Sequence, residues 1–197
     1  LGDVYKRQGL DKLYSEMEEP LMRVLAKMER DGVKVDLAQI EDFADSLRRE
    51  TAALEAEIRE LADEPSLNIS SPKQVGDVLF DKLKLDPKAK KSGRGSYTTD
   101  EATLTAIIDK HPVVGKILEY RAVKKLLSTY IEPFPSYVSN VDGRVHTTFN
   151  QALTATGRLS SSAPNLQNIP VRTERGREIR LSLIHISEPT RLALISY

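Results

Sequence analysis

Residues 154–170 read TATGRLSSSAPNLQNIP. They gather side chains suited to touching the edges of nucleic-acid bases. Arg158, Asn165, Gln167 and Asn168 are fork-shaped hydrogen bonders, in a loop shaped by Gly157 and the prolines Pro164 and Pro170. In the minor groove of a duplex, purine N3 and pyrimidine O2 are acceptors in every base pair. A donor such as Arg158 or Gln167 placed there tests pair geometry and not sequence. The alternative is a polar linker rich in Ser and Asn. A second set is Tyr120, Arg121, Lys124, Lys125 and Thr129. Spacings of three and four put Arg121, Lys124, Lys125 and Thr129 on one broad helical face, which suits a row of phosphates. The alternative is the basic last turns that a helix dipole favours. A third set is Lys88, Lys90, Lys91 and Arg94, interleaved with Ser92, Gly93, Gly95 and Ser96. Closely spaced cations on such a loop track a phosphate backbone, and N–H groups and hydroxyls add hydrogen bonds that read no sequence. The alternative is a solvated surface loop.

Other chemistry finds little support. The 197 residues contain no Cys, which removes thiol nucleophiles, disulfides and cysteine metal sites. Three His residues leave little for a His-rich metal site, and no short Asp/Glu cluster has ligand spacing. Gly93-Arg94-Gly95 lacks the spacing of a dinucleotide loop, and no Walker-type phosphate loop occurs. His111 precedes a proline and is expected at the surface. His146 is expected to be a hydrogen-bonded structural residue and not a base. No Ser/His/Asp set has supporting context. Asn68-Ile69-Ser70 matches a glycosylation sequon, yet nothing points to secretion.

Lys+Arg and Asp+Glu both number 29, so a strongly basic nucleic-acid coat and an acidic disordered tail are excluded for the chain as a whole. With 40% hydrophobic and 29% charged residues it reads as a soluble globular protein. No apolar run approaches the ~18 residues of a membrane span. No basic region followed by an apolar one marks a signal peptide, so the expected location is cytoplasmic.

These side chains need elements to hold them. Leu10 to Arg30 reads helical, with Leu13, Met17, Leu21, Val24, Leu25 and Met28 on one side and a break expected at Pro20. Asp31-Gly32 is a stop. Val33–Val35 alternates like a short strand. Asp36 is a good N-cap, and Leu37, Ile40, Phe43, Leu47, Thr51, Leu54, Ile58 and Leu61 then follow at spacings of three or four. This predicts a long amphipathic helix over about 37–62, packed on another long helix. Ser71-Pro72-Lys73-Gln74 has the form of a capping box with Pro at the first helical position. Its helix carries Val75, Val78, Leu79 and Leu83. A polar, basic stretch covers 84–96. A short helix follows, capped within Thr98–Asp100 and ending near Lys110, and another runs from Pro112 to about Ile131. Pro133 and Pro135 end it. Asp142-Gly143 is a turn, and Arg144–Phe149 alternates like a strand. Residues 151–170 form a polar loop, ordered for function or disordered. The fold class is therefore mainly α with a small β component towards the C-terminal side.

The two ends read differently. Residues 1–8 (LGDVYKRQ) are compatible with codons whose reverse complement translates as LSLIHISE, which stands at 181–188. That string resembles a transposon end used in sequencing libraries. Residues 1–8 and 181–197 are therefore expected to be adapter translation, and His185 leaves the candidate list with them. The alternative for Leu181–Ile186 is a natural strand. Without the two ends the charge balance stays near neutral.

Residues 154–170 closely resemble the bacterial DNA polymerase I family, family A. The likeness continues in EEPLMRVLAKMERDGVKVD (18–36), NISSPKQVGDVLFDKL (68–83), ILEYRAVKKLLSTYIE (117–132) and GRVHTTFNQALTATGR (143–158), in the family's order. It covers essentially all of 10–180. The resemblance implies an architecture shaped like a right hand. In it, 9–36 leads into the polymerase domain, 37–132 is a thumb of long antiparallel helices, and 133–180 begins an α+β palm. By position, it implies that Arg158 reaches the minor groove at the primer terminus, with Asn165, Gln167 and Asn168 near the same groove. Arg121 and Lys125 would lie near the DNA backbone. The 88–96 loop, with Lys90, Lys91, Ser92 and Arg94, would be the thumb tip. Many relatives carry Lys where this chain has Leu127, so the phosphate contact made there is not carried over.

The resemblance also implies that the two aspartates holding Mg²⁺ lie outside this chain, as do the fingers that bind the incoming deoxynucleoside triphosphate. The expected function is a fragment of a DNA-templated DNA polymerase of replication and repair. It would be monomeric, would grip primer-template DNA through phosphates and the minor groove, and would be inactive alone. The alternative function is a non-enzymatic helical module that binds a partner or nucleic acid. Its motive is the 37–61 stripe, which an exposed seam would favour.

Overall fold

The computed structural model describes residues 9–93 and 95–166. Arg94, Gln167, Asn168 and the segments 1–8 and 181–197 lie outside the described residues. The chain divides into two compact units, one made of residues up to Ile40 together with those from Pro133 onward, the other of Glu41–Glu132.

In the first unit, α1 (Asp11–Leu13) runs through a π-helical turn (Tyr14–Glu18) into α2 (Glu19–Asp31). Pro20 stands just inside α2 in a helical run that is continuous from Asp11, so its missing N–H removes a ladder bond, and the π-helical turn lies directly before it. The wider π turn rotates what comes before it. Of the face expected to be apolar and packed, Leu13, Met17 and Val24 sit exposed, while Leu25 is buried. Gly32 closes α2 at φ +61°, its N–H donating to the Met28 carbonyl at 3.0 Å. β1 (Val33–Lys34) pairs antiparallel with β2 (Arg144–Val145), Val33 opposite Val145.

The single strand expected over 144–149 is two strands. β3 (Thr148–Asn150) pairs instead with β4 (Ser160–Ser162), Phe149 opposite Ser161. The change of partner occurs at His146 and Thr147, whose side chains are tied to other segments. The His146 ring lies 2.7 Å from the Glu29 carbonyl and 2.9 Å from an Asp142 carboxylate oxygen. The Thr147 hydroxyl donates to the Pro164 carbonyl at 2.8 Å.

In the second unit, α3 (Leu37–Leu61) is 25 residues long and begins in the first unit. Asp36 caps it, its carboxylate accepting from the N–H groups of Ala38 and Gln39 at 3.0 and 3.2 Å. The stripe is buried at Ile40, Leu47, Thr51, Leu54 and Ile58 and half-buried at Phe43 and Leu61, so it is core and not a seam open to a partner helix; its first member, Leu37, is exposed. α4 (Pro72–Gly76) continues as a π-helical turn (Asp77–Lys82). Ser71 caps it as expected, but the Gln74 side chain accepts from the Asn68 N–H at 2.8 Å. The Ser71 N–H, which a full capping box would use, is already donated to the Asn68 carbonyl.

α5 (Glu101–Thr105) is capped by Asp100. α6 (Pro112–Leu126) is capped by the His111 ring, which accepts from the Val113 N–H at 3.2 Å, a role beyond the surface position expected for it. It runs on as a π-helical turn (Leu127–Ile131). The core of this unit is Leu54, Ile58, Val75, Leu79, Leu104, Val113, Ile117, Val123 and their neighbours. Glu55 meets Tyr120 and Glu57 meets Lys116, so α3 and α6 run antiparallel. No helix among the described residues is long and apolar enough to cross a membrane.

Candidate nucleic-acid interface

A groove of about 530 Å³ lies within the second unit. One side is the end of α6 and its continuation, with Tyr120, Arg121, Lys124, Lys125, Ser128 and Thr129. Ile69, Ser70 and Pro72 come from the start of α4, and Thr99 and Asp100 from the start of α5. The three-and-four spacing does place Arg121, Lys124, Lys125 and Thr129 together, because Val123, Leu126 and Leu127 turn inward and fix the helix's rotation. Leu127 is 2% exposed and belongs to the core.

These polar groups are not equivalent. Arg121 is half-buried and turned onto the loop before α5. Its Nη1 donates to the Thr99 carbonyl, and its Nη2 to Thr99 Oγ1 at 3.2 Å. Burial lowers its pKa from the ordinary arginine value. Lys124 and Lys125 are exposed, and their ammonium groups make no hydrogen bond or ion pair among the described residues. Asp100 contributes a negative charge, but it is aimed at the start of α5. Its hydrogen bonds with Thr103 hold its carboxyl below the usual range. The groove is thus a concave surface with two free ammonium groups, a tethered guanidinium and several hydroxyls. That is equipment for phosphate oxygens.

None of the described residues of the 88–96 loop lines this groove. Lys91 is folded back onto the turn after α4. Its Nζ lies 2.8 Å from Asp81, 3.6 Å from Asp77 and 4.9 Å from the centre of the Tyr97 ring. Tyr97 in turn donates to Asp81 at 2.6 Å and packs on Phe80. The pair with Asp81 raises the Lys91 pKa, and that same lysine, followed by Tyr97, lowers that of Asp81. Lys90 is exposed. Ser92 closes a turn through its N–H to the Ser96 carbonyl at 2.8 Å.

In the first unit the 151–166 segment is ordered. Gln151 donates to the Glu18 carbonyl at 3.0 Å and to its carboxylate. Thr154 Oγ1 donates to the Arg158 carbonyl at 2.5 Å, and Gly157 takes φ +72°. Buried Ser161 accepts from the Leu166 N–H at 3.1 Å. This framework leaves Arg158 exposed, with no hydrogen bond or ion pair from its guanidinium among the described residues. Asn165 is exposed. Sequence reasoning missed Ser70, Thr99, Asp100 and Ser128. Ser70, Thr99 and Asp100 reach the groove from other elements, and no local spacing signals them; Ser128 stands four residues after Lys124 on the same helical face, and that spacing could have found it. Among the described residues no group of three His, Asp or Glu side chains is placed to hold a metal.

The model of DNA polymerase family A matches residues 37–197. The chain is 50% identical over 189 residues to DNA polymerase I of Geobacillus stearothermophilus, covering 96% of this chain and 21% of that protein. It is 49% identical over 172 residues to the thermostable DNA polymerase I of Thermus aquaticus, covering 87% of this chain and 21% of the relative. The chain therefore spans about a fifth of the length of the curated relatives it matches. Among solved structures it is similar to the POL domain of Pol1 from M. smegmatis in complex with DNA primer-template and dNTP. The TM-score is 0.77 at 41% identity, over 91% of this chain and 31% of that one.

Proposed function

This chain belongs to DNA polymerase family A, and from that membership we propose that it is the part of a DNA-directed DNA polymerase that grips primer-template duplex. Residues 37–132 act as the thumb and 133–180 as the start of the palm, reached through 9–36. The observation that carries the reading is the placement of Lys124, Lys125 and Thr129 beside Arg121 on one wall of a groove. Two exposed ammonium groups there neutralise successive phosphates and read no sequence. Exposed Arg158, on its ordered loop, supplies a donor to minor-groove acceptors, and Asn165, Gln167 and Asn168 belong to the same contact. Lys90, Ser92 and Arg94 add backbone contacts from the 88–96 loop, with Lys91 anchoring it.

The whole enzyme acts as a monomer in the cytoplasm in replication and repair. Mg²⁺ and deoxynucleoside triphosphates are engaged by parts of it outside this chain, which by itself extends no primer. Titration of a labelled primer-template duplex into the chain at increasing salt tests the grip. Affinity is expected to fall linearly on a log–log plot, with equal binding to unrelated duplex sequences. Salt-independent binding, or primer extension by clean protein, overturns the reading.

A further inference from the structure

Tyr120 is 3% exposed, yet its hydroxyl sits between two polar groups. It donates to Glu55 Oε1 at 3.0 Å and lies 3.1 Å from Ser70 Oγ. A carboxylate only accepts, and a phenol has one proton. With that proton on Glu55, the contact to Ser70 forms only if Ser70 donates. The inner end of the chain is fixed: Arg59 Nη2 donates to Glu55 at 3.2 Å, and Arg59 Nε donates to the Leu67 carbonyl at 3.2 Å. The outer end is fixed too, since the Ser70 N–H donates to Asn68 Oδ1 at 3.0 Å. Proton direction therefore runs from the groove inward, Ser70 to Tyr120 to Glu55.

We propose that Glu55, acting through Tyr120, is a positioning residue that turns the Ser70 hydroxyl proton away from the groove, so that Ser70 meets an incoming phosphate with lone pairs only. A phosphate diester oxygen is also an acceptor, so Ser70 repels it weakly where a serine would ordinarily bind it. Ser128 is committed in the same sense, its hydroxyl donating to the Lys124 carbonyl at 2.8 Å. Thr99 Oγ1 is buried and accepts from Arg121, which leaves Thr129 as the exposed groove hydroxyl with no partner among the described residues. The phosphate-binding set reduces to Thr129 with Lys124 and Lys125, next to the tethered Arg121. This rests on the phosphate reading of the groove.

Reversing the chain should produce a gain. Tyr120→Phe removes the acceptor and frees the Ser70 proton. Glu55→Gln offers an amide N–H to the Tyr120 oxygen, so the phenol proton can move to Ser70 and the Ser70 proton outward. Each variant of the full chain is titrated with labelled primer-template duplex, alone and combined with Ser70→Ala. Expected is about two- to tenfold tighter binding for each single variant, the size of one added hydrogen bond. The salt slope should stay unchanged for Tyr120→Phe, because no charge is altered, and Ser70→Ala should cancel both gains. A purely structural role for Tyr120 or Glu55 gives weaker binding, or a gain that survives Ser70→Ala, and either result overturns the proposal. If the unaltered chain binds without salt dependence, the phosphate reading itself fails. If it binds with salt dependence and neither variant tightens, the reading stands and this inference falls. Glu55→Gln keeps the test decisive if Tyr120→Phe impairs folding.

Discussion

A Cβ placed on Gly32 would fall 2.6 Å from Cε1 of His146, closer than any real side chain approaches. Gly32 also takes φ +61° and ψ 176°, a region open essentially to glycine alone. Two independent demands meet at one residue: the stop of α2, and room for the ring that ties α2 to the second half of its unit.

Gly32→Ala should therefore destabilise the chain by about 2–4 kcal/mol, combining backbone strain with the clash. Gly143→Ala, at φ +69° with nothing within 4 Å of its Cβ, should carry the strain alone and be milder, about 1–2 kcal/mol. Urea unfolding of both variants decides it. Equal losses would mean that the His146 contact carries no weight.

The His146 ring faces two acceptors, the Glu29 carbonyl and the Asp142 carboxylate, and only imidazolium donates from both nitrogens. The Glu29 carbonyl first, then Asp142, raise its pKa above 6.5. The resulting stability is full below 6.5 and lost as pH rises through the higher folded value. Desolvation pushes the Asp142 carboxyl up, but the Arg144 N–H and His146 outweigh it and hold it below 3.8. That contribution is present above 3.8 and lost in acid. The urea midpoint should fall as pH rises above 6.5, and His146→Gln should flatten the fall. An equally steep fall in the variant would remove His146 as its source.

Ile58 is fully buried in the α3 stripe, so Ile58→Ala should cost about 2–5 kcal/mol. Met17→Ala, at an exposed position of the first helical run, should change stability by less than about 0.5 kcal/mol. Comparable losses would mean that the exposed helix face carries packing of its own.

Lys91 joins the loop to Asp81, Asp77 and the Tyr97 ring. Lys91→Met and Asp81→Asn should each speed trypsin cleavage after Lys88 and Lys90 several-fold, with global stability little changed because the pair is half-exposed. Unaltered cleavage in both variants would show that the ion pair does not hold the loop.

Lys125→Ala should lower the slope of log affinity against log salt by about 0.9 and weaken binding to all duplex sequences alike. Thr129→Val should weaken binding at an unchanged slope, since it removes a donor and no charge. An unchanged slope for Lys125→Ala would place the phosphates elsewhere.

Much of the fold follows from neighbours within four residues, and that much is legible in the chain itself. Asp36, Ser71 and Asp100 cap helices because a short acceptor side chain reaches the N–H groups two or three residues on. Gly32 ends a helix because it alone takes that backbone conformation. The α3 stripe is buried because its period matches the helix's. The same spacing puts Arg121, Lys124, Lys125 and Thr129 on one face, and the resemblance of 154–170 already points to the family.

What those cations do is set elsewhere. Thr99 takes the fork of Arg121, Asp81 takes Lys91, and Glu55 reaches Tyr120 across 65 residues to set the direction of the Ser70 proton. The split of the 144–149 strand also depends on a distant tie, the Glu29 carbonyl on His146. A side chain's charge and reach belong to its type, but its partner is whichever group the folded chain brings within 3 Å or so. Local sequence therefore determined which groups were on offer, and tertiary packing decided which of them remained free to bind.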